Sequence, residues 1–284
     1  MSALTTSKGT REQKDSFFSL LKSAVSEAAK IILKEMKPSR AGLQILLANG
    51  HVFKAAIIKA VTDTARELLA PALSENASAY EFARLTLGRA FITPEEVMRA
   101  RRGVVYTPEQ LTEFKRILPT QDIIQWAKSN GFILVAGPAK PLSLLEIRDL
   151  DPIFFYAKSG DWYAGDAEKF SRDDKVDVTW LMVRKEAVQD SFSKSWTEQT
   201  ALLLEVEYVP NVAEVAWAVT TYKAVRGIYL MPNFYVRTSS VDALGNRVPV
   251  GLFGASGLAI NDCWDVDRHG ALAVVSARKL KMES

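Results

Sequence analysis

Residues 211–227 read NVAEVAWAVTTYKAVRG, and this stretch organises the second half of the chain. Its apolar residues recur at steps of three and four positions, namely Val212, Val215, Ala216, Val219 and Tyr222. That spacing predicts an amphipathic helix, and Gly227 is a favourable residue to end it. Short apolar segments lie on both sides of the helix. We expect them to be strands that bury their inward faces against it.

The predicted strands share a short length, many β-branched or aromatic residues, and Gly, Asn, Asp or Ser at their ends. They cover residues 176–185, 227–240, 247–253, 257–262 and 271–279, and a shorter buried strand follows Gly131. From about residue 150 onward, the helix at 211–226 is the only one that the pattern predicts among these strands.

The first 130 residues have a helical pattern instead. Amphipathic stripes predict one helix that ends before Pro38 and another that stops at Pro71. Thr93-Pro94 and Thr107-Pro108 each combine a capping residue with a proline suited to the first helical position. The chain is therefore predicted to be α+β, with a helical region at 1–140 and a mixed, β-rich domain at 141–284.

Composition limits the class of protein. The chain has 284 residues, of which 48% are hydrophobic and 24% charged, so it can fill a core and is not a disordered polymer. It lacks a run of apolar residues long enough to span a membrane, and its N-terminus lacks an apolar leader. A single cysteine excludes an internal disulfide. We expect a cytoplasmic protein that does not associate with membranes.

The stretch GLAINDCWDVDRHG at 257–270 carries the chemistry. A stiff aromatic ring provides contact area and short polar groups provide hydrogen bonds, which is the composition of a recognition surface. We therefore predict a binding protein rather than an enzyme, with a protein or a small molecule as its partner and no cofactor. The predicted binding residues are Asn261, Asp262, Trp264, Asp265, Asp267, Arg268 and His269.

Two other interpretations of this stretch stay open. Asp262, Asp265, Asp267 and His269 offer oxygen and nitrogen ligands within eight residues, as a metal-dependent hydrolase or lyase would need. The ligand spacing is not that of a calcium loop, so the identity of any metal is unknown. The stretch is alternatively a solvated loop between two buried strands.

Charge suggests a further alternative, a nucleic-acid-associated protein. The net charge is +3, but residues 1–140 hold 20 basic and 13 acidic residues, a balance of +7, whereas the remainder holds 16 and 20, a balance of −4. A basic half can attract phosphates, although a charge spread so thinly is more typical of a solvated surface. Nucleophilic catalysis has less support, because nothing in the spacing requires Cys263 to meet His269.

The second half also resembles a known fold. The segment VPNVAEVAWAVTTY at 209–222 resembles the Pro-x-x-x-Glu helix start of the C-type-lectin-like fold, as found in formylglycine-generating enzymes and in the variable proteins of diversity-generating retroelements. The segment ALAVVSARK at 271–279 resembles their terminal strand. The resemblance implies that the stretch before this strand is a ligand-binding loop. The whole chain is similar to uncharacterised proteins of bacteria and phages.

The resemblance does not carry the catalytic activity of those enzymes. Formylglycine-generating enzymes use a pair of cysteines, whereas this chain has only Cys263. Calcium-dependent lectins place a proline-containing tripeptide shortly before their Trp-Asn-Asp, and here Pro210 lies far ahead of Asn261. The resemblance therefore implies a binding scaffold and no particular ligand.

Overall fold

A computed structural model describes residues 11–35, 37–74 and 78–280, and over these ranges the chain is an α+β protein, as predicted. The helices are α1 (Arg11–Glu35), α2 (Arg40–Ala48), α3 (Gly50–Ser74), α4 (Ala79–Leu87), α5 (Pro94–Ala100), α6 (Pro108–Arg116), α7 (Gln121–Ser129), α8 (Leu144–Leu150), α9 (Phe170–Asp173), α10 (Trp196–Thr200) and α11 (Val212–Arg226). The strands are β1 (Phe91–Ile92), β2 (Phe132–Ala136), β3 (Leu142–Ser143), β4 (Lys175–Val176), β5 (Trp180–Arg184), β6 (Glu207–Tyr208), β7 (Tyr235–Val241), β8 (Arg247–Gly254), β9 (Gly257–Ile260), β10 (Leu272–Val274) and β11 (Ala277–Arg278).

The chain divides into two compact units, residues 1–65 and 66–284, and the boundary falls inside α3. Within residues 11–65, none of the side chains that the structure describes is buried. The buried core described below belongs to the second unit.

One predicted helix end is wrong. Helix α3 continues through Pro71 to Ser74 instead of stopping at the proline. Proline removes only one backbone donor, and the leucine and alanine residues around it have high helix propensities that favour one further turn. The start motifs were predicted correctly. Thr93 and Thr107 both cap helices through complete capping boxes, each followed by proline.

Two sheets form the frame of the second unit. The five-stranded sheet has the order β1-β2-β5-β11-β6, with β1 parallel to β2 and the other pairs antiparallel. The four-stranded sheet has the order β10-β7-β8-β9, with β10 parallel to β7. The short strand β1 was not predicted from the sequence. Because β2 precedes residue 140 and its partner β5 follows it, strands from both sides of residue 140 share one sheet.

Helix α11 lies at the centre of this unit. It contacts β2 and β5 of one sheet and β7 and β8 of the other. The prediction of a single apolar face is too narrow, because ten consecutive or nearly consecutive residues of α11 are buried, from Val212 to Tyr222. A helix packed on most sides needs apolar or small residues around most of its circumference. The prediction of a single helix among the C-terminal strands is also wrong, because the structure adds α9 and α10. These two helices are too short to show a helical period in the sequence.

Trp217 anchors α11 to the five-stranded sheet. Its indole N–H donates a hydrogen bond of 2.9 Å to the carbonyl oxygen of Ala136 at the end of β2, and its side chain is fully buried. The guanidinium of Arg101 lies 4.3 Å from the centre of the Trp217 ring. Arg101 also donates to the carboxylate of Asp151 at 2.7 Å and to the hydroxyl of Thr221 at 2.9 Å. Arg101 is the residue that ends α5, and its side chain is completely buried.

We expect Trp217→Ala to lower the free energy of unfolding by about 3–5 kcal/mol, because it opens a cavity in the core and leaves the Ala136 carbonyl without its donor. Urea denaturation of the full chain measures this change. Trp264→Ala is the matched control, since Trp264 is exposed, and it should change the free energy by less than about 0.5 kcal/mol. Similar losses in the two variants would contradict this account of the core.

Candidate functional site

The predicted binding residues lie on the segment that connects β9 to β10, here called the 261–270 loop. Backbone hydrogen bonds fix its first residues, because the Asn261 and Cys263 amides donate to the carbonyl oxygens of Pro249 and Arg247 on β8. The loop thus begins as a continuation of the four-stranded sheet.

A buried arginine holds the rest of the loop. Arg237 lies on the central strand β7 and is 0% exposed. One terminal nitrogen of its guanidinium, Nη2, donates to the main-chain oxygens of Trp264 at 2.9 Å and Asp267 at 2.8 Å. Its Nε donates to the sulfur of Cys263 at 3.2 Å. Three points of the loop are therefore tied to one rigid, planar group.

The same guanidinium reaches a second segment, residues 193–199. Its other terminal nitrogen, Nη1, donates to the main-chain oxygen of Lys194 at 3.0 Å and to Oε1 of Gln199 at 2.9 Å. The partners of Arg237 are thus four oxygens and one sulfur, none of them from a carboxylate. Burying a charge is costly unless every donor is satisfied, and here all of the nitrogens have acceptors.

Residues 193–199 also bind the loop directly. The Trp196 amide donates to the main-chain oxygen of Asp265 at 2.8 Å, and the Ser193 amide to that of His269 at 3.2 Å. Arg268 forms an ion pair with Glu198 at 2.8 Å, but both side chains are largely exposed, so this pair adds little stability. The loop conformation therefore depends mainly on main-chain contacts.

The structure gives the predicted residues different surroundings, and Asp267 belongs to two of them. Two aspartates are occupied within the loop or beside it. Oδ2 of Asp267 accepts a hydrogen bond of 3.0 Å from the Trp264 amide. Oδ1 of Asp265 lies 3.3 Å from Nε of Arg247, which is close enough for an ion pair. The angle does not suit a hydrogen bond, and neither atom has a hydrogen-bond partner among the residues described.

A second group lines a cavity of about 440 Å³ beside the loop. Five predicted residues line it, namely Asn261, Asp262, Asp267, Arg268 and His269, together with Tyr235, Pro249, Cys263, Ala271 and Leu272. Trp264 and Asp265 are absent from this lining. Trp264 instead projects into solvent with 63% of its surface exposed, and Val266 is 71% exposed.

An adjacent cavity of about 380 Å³ shares Tyr235 and Asn261 with the first. Tyr156 and Trp162 line it, and the indole N–H of Trp162 donates to the main-chain oxygen of Ile260. Two of its other lining residues have left-handed backbone angles, Asp161 with φ of 75° and Leu252 with φ of 45°. Such conformations cost free energy for residues other than glycine and are enriched at functional sites.

The thiol of Cys263 is not set up as a nucleophile. Burial raises the pKa of the Cys263 thiol, and the nearby Arg237 guanidinium opposes this rise only in part. A higher pKa leaves less of the reactive thiolate at neutral pH. Ring nitrogen Nδ1 of His269 accepts from the Ala271 amide at 3.1 Å.

The four candidate metal ligands do not form a metal site in this conformation. Among the residues that the structure describes, no group of three or more His, Cys, Asp or Glu side chains is arranged to hold a metal ion. This includes Asp262, Asp265, Asp267 and His269.

No described helix is both long and apolar enough to cross a bilayer.

The sequence did not reveal two of the residues that shape this site, Arg237 and Tyr235. A signal for the first existed, because Arg237 interrupts a strand of otherwise uncharged residues, YVRTSSV. A charged residue at such a position lies either on a solvated face or in the interior with polar partners. Comparison of the chain with protein-family models, with curated proteins and with solved structures finds no match.

We expect Arg237→Met to loosen the loop, because four oxygen acceptors would lose their donor. Hydrogen exchange of the amides in residues 263–272 should accelerate, and unfolding should become easier by about 2–4 kcal/mol. The control is Arg268→Met, which removes an exposed arginine and should change stability by less than about 0.5 kcal/mol. Unchanged exchange in Arg237→Met would contradict the role given to this side chain.

We also expect Cys263 to react slowly with iodoacetamide in the folded protein. Its raised pKa lowers the fraction of reactive thiolate at pH 8, so alkylation should be slower than in the unfolded chain. The rate should rise as the pH approaches the raised pKa. Mass spectrometry follows the reaction without ambiguity because the chain has one cysteine. Equal rates in the folded and unfolded states would show that Arg237 stabilises the thiolate instead.

Proposed function

We propose that this chain is a binding protein that recognises another protein through residues 261–269. The observation that carries the proposal is the exposure of Trp264 and Val266 on a loop whose main chain is fixed by the buried Arg237. Exposure of a tryptophan ring to water is unfavourable, so a partner that buries this ring gains hydrophobic free energy of binding.

Rigidity favours tight recognition. A loop that is already ordered loses little conformational entropy on binding, so more of the contact free energy contributes to affinity. Tryptophan is among the residues that most often dominate interface energetics. Here the exposed polar side chains of Asp262, Arg268 and His269 surround the apolar pair in sequence. An apolar centre with a polar periphery is the usual anatomy of such an interface.

The cavity of about 440 Å³ beside the loop supports the same role. It is large enough for a side chain of the partner, and its lining offers both charges, from Asp262 and Asp267 on one hand and from Arg268 on the other. A partner side chain that enters this cavity would supply orientation, while Trp264 and Val266 would supply most of the buried area.

The scaffold that presents the loop is proposed to be C-type-lectin-like over residues 141–284. Support comes from the order of elements: a capped helix starting after Asn211, then antiparallel strands, a late polar loop and a short terminal strand, β11. In this proposal the loop is the ligand-binding region of the scaffold. Strand β2 precedes residue 141 and extends the sheet of this domain by pairing with β5.

The test uses peptides selected from a displayed library on the wild-type protein. The double variant Trp264→Ala/Val266→Ser should lose at least about a hundredfold in affinity for them, since each residue is expected to contribute about 1.4 kcal/mol or more. Its urea midpoint should stay near that of the wild type, because both side chains are exposed. Affinities are measured by titration calorimetry with synthetic peptides.

Leu244→Ser provides the matched control. Leu244 is an exposed apolar residue, 87% accessible, on the turn between β7 and β8 and outside the proposed surface. Peptides should bind this variant as they bind the wild type. Undiminished binding to the double variant, or equal losses in both variants, would overturn the proposed function.

A further inference from the structure

A separate cavity of about 630 Å³ lies among helices α4, α5 and α6. Its lining shares no residue with the 261–270 loop or with the two cavities beside it. The lining residues are Ser78, Ala79, Tyr80, Glu81, Arg84, Thr93, Glu95, Arg99 and Lys115. Any ligand bound here would be independent of the proposed recognition surface.

Three cations line this cavity and have no partner in the part of the chain that the structure describes. Arg84, Arg99 and Lys115 come from three different helices, and none of these side chains has a hydrogen bond or an ion pair with any residue that the structure describes. Two carboxylates also line the cavity, which leaves one positive charge uncompensated. Three cations converging on one concave surface raise its electrostatic potential and attract anions.

One of the two carboxylates is already occupied. Oε2 of Glu81 accepts from the main-chain amide of Ser78 at 3.0 Å and from its hydroxyl at 3.2 Å, completing the capping box of α4. Glu81 therefore serves its own helix start rather than the arginines. Glu95 is the remaining carboxylate, so the protein itself supplies too few acceptors for the donors present.

Tyr80 adds an unsatisfied donor. Its hydroxyl is buried and has no hydrogen-bond partner among the described residues. The ring is held in place by edge contacts with Phe91 and Trp180, at centroid distances of 5.4 and 6.1 Å. Burial first, and then the charge of Glu95, raise the pKa of the Tyr80 phenol, so it stays protonated and able to donate. A buried donor without an acceptor costs free energy, so this hydroxyl destabilises the free protein.

We propose that this cavity binds a small phosphorylated ligand. A phosphate group presents several acceptor oxygens with negative charge, and arginine binds it in a bidentate manner while lysine contributes a point charge. The three cations supply the charged donors that such a group needs, and Tyr80 forms part of the cavity wall. Glu95 disfavours a long, uniformly charged backbone in the same space and favours a compact ligand.

Pyrophosphate is the probe, titrated into the full chain by calorimetry with sodium chloride adjusted to constant ionic strength. We expect saturable binding to one site. Arg84→Gln, Arg99→Gln and Lys115→Gln should each weaken it about five- to tenfold. Tyr80→Phe should bind as the wild type does and should raise the thermal midpoint of the free protein, because the unpartnered hydroxyl disappears while the ring contacts remain. Lys128→Gln, which removes an exposed lysine of α7 outside the lining, should bind as the wild type does.

Three outcomes would overturn the proposal. The first is no binding beyond the salt control, and the second is equal weakening by Lys128→Gln, which would indicate a diffuse surface charge. The third comes from a parallel titration with a twelve-nucleotide thymidine strand. If that strand binds in a manner dependent on Arg84 and pyrophosphate does not, the site is a nucleic-acid contact rather than a pocket for a small ligand.

Discussion

The candidate site depends on the burial of one positive charge. Arg237 has no carboxylate partner, so its desolvation is offset only if every donor meets an acceptor with good geometry. That requirement fixes where the Trp264 and Asp267 carbonyl groups can lie, and it fixes the Lys194 carbonyl on the neighbouring segment. The conformation of the loop is thus set by the needs of a side chain on β7, while its own exposed side chains stay free for other contacts.

The frame that positions Arg237 is the pair of sheets packed on α11. Strand β7 lies in the interior of the four-stranded sheet and contacts α11, whose Trp217 reaches the five-stranded sheet through the Ala136 carbonyl. Arg101 lies against the same tryptophan and is paired with Asp151. Two fully buried arginines therefore stand in one core. Arg101 is bonded to a carboxylate and to hydroxyl groups, and its Nη2 has no partner among the described residues. Arg237 is bonded to three main-chain oxygens, one side-chain amide oxygen and one sulfur.

Local chemistry explains which parts of this architecture the sequence predicts. Capping boxes at Thr93 and Thr107 need only four neighbouring residues, so their helix starts could be placed. The pairing of β11 between β5 and β6 depends on contacts between distant parts of the chain, and no local pattern encodes it. The loop was located because polar residues and a tryptophan separate two apolar strands. Arg237 was missed because its neighbours on β7 are buried on both faces, which erases the alternation that would reveal an inward charge.

The contacts between Arg237 and the loop leave most of the loop's side chains free to vary in evolution. Apart from the Cys263 sulfur, it contacts the loop only through carbonyl oxygens, and every amino acid supplies those. Substitutions at positions such as 262, 264, 266 and 268 therefore keep the hydrogen bonds from Arg237 to the main chain of the loop. Related sequences could therefore differ in the exposed side chains of this loop and still share its main-chain conformation.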